Sequence, residues 1–314
     1  MKLYLAITDN NRFNYLSHLR PDEINFWQPG GNTHFKAIDP GAPFLFKLHS
    51  PYNYIVGGGF FVQQFFLPLS LAWDAFGEKN GTPDYLTFRT AIQKYRSKMG
   101  KTEMDPQIGC IILANPFFFP EPDWIDVSDF WPKSGITQGK TFSTEEEIGQ
   151  RIWWQVSERI ERQSIALNEP NHEPTAVLAK ERYGDPYLTR PRLGQGAFRV
   201  LVTEAYDRRC AVTGEKTLPV LNASHIKPYS QNGPHEVRNG LLLREDLHTL
   251  FDRGYLTVTE DHHVEVSGRI KEDYGNGREY YAMHGRKLII LPGREEDQPA
   301  REYLRWHNEN VYAS

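Results

Sequence analysis

The sequence predicts an α+β protein built from two domains, with a helix and a linker between them. Three observations carry that reading. Strand-like apolar runs crowd the first part of the chain, to about residue 140. A stretch at 168–191 holds four prolines and few large apolar residues. A second set of apolar helix and strand segments begins after it. At 314 residues the chain is also long for one compact domain. The expected boundaries are 1–142 for a β-rich domain, 143–190 for the helix and linker, and 191–314 for the C-terminal domain.

Each element follows from local pattern. MKLYLAIT reads as an opening strand. APFLFKLHSPYNYIVGGGFFVQQFFL reads as two apolar strands around a Pro-Tyr-Asn turn, the second broken by Gly57, Gly58 and Gly59. DYLTFRTAIQKYRSKM places Leu86, Ala91, Ile92 and Tyr95 near helical spacing. IGCIILANPFFF is a buried strand ended by Pro116 and Pro120. In FSTEEEIGQRIWWQVSERIERQSIAL, Ser143 or Thr144 is placed to cap a helix whose first turn carries Glu145, Glu146 and Glu147, where the macrodipole favours negative charge. QGAFRVLVTEAYDRRCAVTG opens the C-terminal domain with a helix ending near Arg209.

The next segment carries the chemistry. CAVTGEKTLPVLNASHIKPY reads as two short strands around a turn, with His225 at the end of the second. Asn239-Gly240 leads into LLLREDLHTLFDRG, where Leu241, Leu242, Leu247, Leu250 and Phe251 suit one buried helical face. His248 and Asp252 are four apart and project from the same side of a helix. Such a unit suits phosphodiester hydrolysis. A neutral imidazole can take a proton from water, and one divalent cation with open positions can stabilise the developing charge. An Asn near the base can orient it.

The segment resembles the HNH nuclease motif, a ββα-metal finger, and its flanks resemble HNH domains of restriction-type endonucleases. The resemblance runs from about Arg192 to the tail REYLRWHNENVY. It implies His225 as general base, Asn239 as the orienting residue, and His248, nine residues after Asn239, as metal ligand. Many members carry Asp just before the base; here Ser224 stands there as a poor ligand, and Asp252 is the nearest replacement. The implied cofactor is a divalent metal, Mg²⁺ or Mn²⁺ first, with Zn²⁺ and Ni²⁺ as further options. The zinc-binding cysteine pairs of some fingers are missing, and Cys210 is expected in the core.

The implied substrate is double-stranded DNA, foreign or modified, with a homodimer as one route to double-strand cleavage. Between Arg190 and Arg244 nine basic residues stand against four acidic ones, which suits phosphate contact despite a net charge of −4. Lys227, Arg238, Arg244 and Arg253 flank the motif and are the expected backbone contacts. The first domain is expected to select the target. Its GAPFLFKLHSPYNYIVGGGFFV step is similar to domains of the PUA superfamily, which include readers of modified bases. Trp27, Tyr52, Tyr54 and Trp73 are the candidate walls of a base pocket. The second class of function is a non-catalytic DNA-binding protein with a degenerate finger. No apolar run approaches the roughly 18 residues of a membrane span, so no membrane partner is expected. With two cysteines far apart and no disulfide framework, a cytoplasmic location is expected.

Overall fold

The computed structural model describes residues 1–97, 103–132, 135, 138–167 and 193–313. The chain divides into two compact units, Met1–Arg192 and Leu193–Ser314. Both mix sheet and helix, so the α+β class holds, and the N-terminal unit is sheet-rich. The linker expected at 168–191 lies outside the described residues.

The N-terminal unit runs β1 (Lys2–Thr8), α1 (Asn10–Leu19), β2 (Glu23–Gln28), β3 (Pro43–Leu48), β4 (Tyr54–Pro68), α2 (Leu69–Phe76), α3 (Tyr85–Ser97), β5 (Gln107–Phe118), β6 (Ile125–Asp126), β7 (Gly139–Ser143) and α4 (Glu147–Leu167). Among the described residues seven strands form one sheet, in the order β2-β5-β4-β3-β1-β7, with β6 beside β4. The β1–β3 pair is parallel and its neighbours are antiparallel. Side chains alternate across it as the pleat requires. Leu3, Leu5 and Leu45 face Ile152, Val156 and Ile160 of α4. Ala6, Phe44, Phe46 and Leu48 join Phe13 and Leu16 of α1 in the other layer. With both faces covered, β3 is buried along its whole length.

Four sequence expectations change here. The glycine step does not break β4, which continues through Gly57, Gly58 and Gly59. A Cβ at Gly57 would lie 2.3 Å from the Phe117 carbonyl oxygen, and one at Gly58 2.6 Å from that of Phe44. The glycines let β5 and β3 close in on β4. Nor does Pro116 end β5: it sits in a register shift beside Asn115, whose φ is 47°, so the missing N–H disrupts no regular ladder. Helix α3 buries Phe88, Ile92 and Arg96, while Leu86 and Tyr95 are exposed. Arg96 turns inward because it donates to the carbonyls of Pro29 and Gln107. Finally, α4 starts at Glu147. Ser143 ends β7, and its hydroxyl and carbonyl accept from the N–H groups of Glu145 and Glu146 in a preceding turn.

The C-terminal unit runs α5 (Gln195–Ala205), β8 (Leu221–His225), β9 (Gly240–Arg244), α6 (Glu245–Asp252), β10 (Leu256–Val258), β11 (Val264–Val266), α7 (Arg269–Tyr274), α8 (Arg278–Tyr281) and α9 (Arg301–Asn310). Helix α5 stops at Ala205 rather than near Arg209, because Asp207 and Arg208 take left-handed φ of 52° and 57°. Tyr206 is fully buried there and donates to the Gly240 carbonyl. The first of the two strands expected before His225 is turn, and β8 pairs instead with β9. Leu241 and Leu242 therefore lie on a strand, not on the helix face assigned to them. All of Leu241, Leu242 and Leu243 are buried, and a continuous apolar run has no period that separates strand from helix. Cys210 is buried in this core and Cys110 in the other unit, both as free thiols. No helix among the described residues is long and apolar enough to cross a membrane.

One buried histidine locks the end of α6. His307 of α9 stacks on Phe251 at 3.7 Å and its Nε2–H donates to the Phe251 carbonyl at 3.1 Å. Its Nδ1 meets the Thr257 hydroxyl at 2.8 Å. Burial pushes its pKa down from 6.5 to about 4, partly offset by the Phe251 carbonyl. The unfolded chain therefore binds this proton first as pH falls. The contribution of neutral His307 is full above about pH 6.5 and is lost as pH drops towards 4, an effect of about 3 kcal/mol. Urea unfolding between pH 7 and 4 should show a steeper loss in wild type than in His307→Gln. Equal slopes would remove His307 as the acid-sensitive group.

Candidate active site

Strand β8 delivers His225 at its last residue, opposite Gly240 of β9. The chain turns directly from β9 into α6, whose Leu247 and Phe251 anchor it in the core. The same helix presents His248 and Asp252 outward, His248 Nε2 lying 3.1 Å from Asp252 Oδ2. Two antiparallel strands and a helix thus bring His225 into electrostatic reach of both His248 and Asp252.

His225 is half-buried and lies flat on Phe198 of α5, ring centroids 3.7 Å apart and planes 12° from parallel. Its Nε2 sits 2.9 Å from Nδ1 of His235. His235 in turn stacks on Tyr229 at 4.7 Å. Burial first, and then the neighbouring His235 and His248, lower the His225 pKa from 6.5 to about 4 against the opposing pull of Asp252. His225 is therefore neutral at pH 7, the form that can accept a proton.

Asn239, expected to orient the base, makes its side-chain hydrogen bonds to the loop that follows His225. It is fully buried, its Oδ1 accepts from the Lys227 N–H, and its Nδ2 donates to the carbonyls of Lys227 and Pro234, each at 2.9 Å. One amide thus ties together both ends of the 227–234 loop. His235 and Phe198 were missed in the sequence. The only local signal was a second histidine ten residues after His225, behind a Gly-Pro pair.

The donor set available for a cation is small. His248 and Asp252 converge, with side-chain exposures of 21% and 55%, so both can be reached from solvent. With the remaining positions left to water, the carboxylate suits Mg²⁺ or Mn²⁺, and the imidazole nitrogen suits Zn²⁺ or Ni²⁺. Among the described residues no group of three or more His, Cys, Asp or Glu is assembled to hold a metal ion. Ser224 does not join them. It is fully buried, its hydroxyl has no hydrogen-bond partner, and strand alternation turns it away from the face that His225 uses. Ser224→Asp should accordingly destabilise the fold, by about 2 kcal/mol or more for a buried carboxylate, rather than tighten metal binding. An unchanged urea midpoint would contradict this.

The four expected phosphate contacts separate into two kinds. Arg244 forms a bidentate pair with Asp246, both contacts at 2.7 Å, which keeps the guanidinium charged and the carboxylate below its usual range. Arg238 is paired with Glu302 at 2.6 Å. Lys227 lies 5.6 Å from the Trp306 ring centroid. Neither Lys227 nor the exposed Arg253 has an ion-pair partner among the described residues, so their charges remain available.

The base-pocket candidates of the N-terminal unit do not converge. Trp27 donates from Nε1 to the Asn80 carbonyl and meets Phe88 edge-on, and Trp73 packs on the same Phe88. Tyr54 packs on Trp124 instead, and Tyr52 lies 50% exposed in the β3–β4 turn. Tyr54 opens β4, whereas Trp73 lies in α2 beyond the other end of that strand. Among the described residues, Trp27 and Trp73 share Phe88 as a ring neighbour, and Tyr54 has a different one in Trp124.

Residues 210–259 match the family described as HNH endonuclease. No curated protein matches the chain. Two of the similar solved structures are the following. A ZmASCH mutant protein from Zymomonas mobilis is 11% identical with a TM-score of 0.32, and the match covers 49% of this chain and 98% of that one. A modification dependent TagI restriction endonuclease is 14% identical with a TM-score of 0.28, covering 92% of this chain and 75% of that one. Over residues 210–259, which include β8, β9 and α6 with His225, Asn239 and His248, the chain carries the pattern of the HNH endonuclease family.

Proposed function

We propose that the protein is a divalent-metal-dependent DNA endonuclease of restriction type, acting on foreign or modified DNA. The observation that carries this reading is the β8–β9–α6 unit, which sets His225 at the end of a strand joined to the helix that bears the His248–Asp252 pair. In this mechanism His225 removes a proton from water, the resulting hydroxide attacks the scissile phosphorus, and the bond from phosphorus to the leaving sugar oxygen breaks, that oxygen taking a proton from solvent. His248 and Asp252 would hold the cation, which when bound supplies charge stabilisation at the phosphate and the leaving oxygen. Lys227 and Arg253 meet the DNA backbone with uncommitted charges, whereas Arg238 and Arg244 support the fold through Glu302 and Asp246.

The N-terminal unit is assigned target selection, as a reader with PUA-like character, and the segment from about residue 191 is assigned cleavage. Only the Trp27–Trp73 neighbourhood around Phe88 is offered as an aromatic site there. One observation favours the second reading, a DNA-binding protein without catalysis: no three-donor metal group is assembled among the described residues. Digestion of matched modified and unmodified plasmid with Mg²⁺, Mn²⁺ or no metal separates the two. Metal-dependent nicking with a preference for one substrate is expected. Binding without nicking under every metal would leave the second reading, and equal cleavage of both DNAs would remove the role in modification reading.

A further inference from the structure

We propose that His235 is a positioning residue for His225: it accepts the proton on His225 Nε2 and so leaves the Nδ1 lone pair of His225 bare for water. This deepens the assignment of His225 as general base and rests on it. At 2.9 Å the two facing nitrogens, His225 Nε2 and His235 Nδ1, must share one proton. Two N–H groups would clash there, and two lone pairs would repel.

The direction of that bond follows from the work asked of His225. Nε2 points at another ring, so the nitrogen left for water is Nδ1. A neutral imidazole that is bare at Nδ1 carries its proton on Nε2. His235 must then accept through Nδ1 and keep its own proton on Nε2. The opposite direction would put the single His225 proton on Nδ1, where no lone pair would remain for water. During the step, an O–H bond of water breaks and the Nδ1–H bond of His225 forms. The electron pair stays on the hydroxide oxygen that attacks phosphorus. The imidazolium then donates from Nε2 with full charge assistance, so the bond to His235 strengthens as the positive charge develops.

The fold holds both rings in place. His225 is stacked on Phe198 and His235 on Tyr229, and the two imidazoles meet at 63° with centroids 5.0 Å apart. The loop that carries His235 back to His225 is closed by the Asn239 amide, which bonds Pro234, the residue before His235, and Lys227, two residues after His225. Gly233 completes the turn: its N–H donates to the Pro228 carbonyl, and a Cβ there would lie 1.8 Å from the Lys227 carbonyl oxygen. Asn239 thereby orients the base at one remove, through the loop and His235.

The test uses the full chain labelled with ¹⁵N-histidine, together with cleavage kinetics. In wild type the shared proton should show its one-bond splitting to His225 Nε2 and a coupling across the hydrogen bond to His235 Nδ1. His235→Phe keeps a ring for Tyr229 but offers no acceptor; kcat should fall roughly ten- to a hundredfold with KM for DNA nearly unchanged. His235→Asn places an amide oxygen near the Nδ1 position and should restore most of kcat. A proton bonded to His235 Nδ1 would overturn the inference, as would wild-type kcat in His235→Phe. Failure of Asn to exceed Phe would reduce His235 to a packing role and also overturn it. A wild-type chain that cleaves nothing removes the base assignment itself. That result is distinct from failure of the inference alone, in which wild type and His235→Phe cleave equally.

Discussion

His225→Ala is expected to abolish DNA cleavage, with a loss of about 10²- to 10⁴-fold or more in kcat, while DNA affinity stays nearly constant. The side chain removes a proton and contributes no positive charge at pH 7, since its pKa is held at about 4 by burial and by His235 and His248. Ala also removes the stack on Phe198, so loss of activity in that variant alone could reflect a loosened β8. His225→Phe separates the two effects, because it keeps a ring against Phe198 and lacks a basic nitrogen. Both variants should bind plasmid as wild type does in a gel-shift titration and fail to nick, and His225→Phe should melt close to wild type. Nicking by His225→Phe at the wild-type rate would move the base elsewhere.

The second large effect concerns α6. His248→Ala should raise the metal concentration for half-maximal nicking by roughly tenfold or more, since even an outer partner of a ligand is worth ten- to a hundredfold in metal affinity. Asp252→Ala should act in the same direction, because the two donors lie 3.1 Å apart and address one point above the helix. His248 and Asp252 lie about 100° round the helix from Leu247 and Phe251 and keep side-chain exposures of 21% and 55%, so both stand outside the buried face. The comparison is a titration of Mg²⁺ and Mn²⁺ at fixed DNA. A normal metal dependence in Asp252→Ala would return that carboxylate to a structural partner of His248, and a normal dependence in both would place the cation outside this helix.

What the sequence by itself determined was the local part of this site. His248 and Asp252 are four residues apart on an amphipathic helix, and helical geometry alone puts them on one side. The order His225, Asn239, His248 on strand, loop and helix was likewise legible, because family pattern and residue chemistry both act over short spans. The strands β1 and β3 were legible from apolar runs bounded by turn residues.

Tertiary structure decided the rest, wherever a residue's role depends on partners distant in the chain. Gly57 and Gly58 look like a break until β5 and β3 press their carbonyls against them. Leu241 and Leu242 suit a helix as well as a strand until β8 supplies a ladder. Trp73 and Tyr54 look like parts of one aromatic set, yet Trp73 packs on Phe88 and Tyr54 on Trp124. Ser224 stands beside the base in sequence, yet the pleat points it into the core. His235 shows the same rule in the other direction. Nothing in ten residues of loop announces that its Nδ1 will meet His225 Nε2; the Asn239 amide and the close approach at Gly233 close the loop that brings them together.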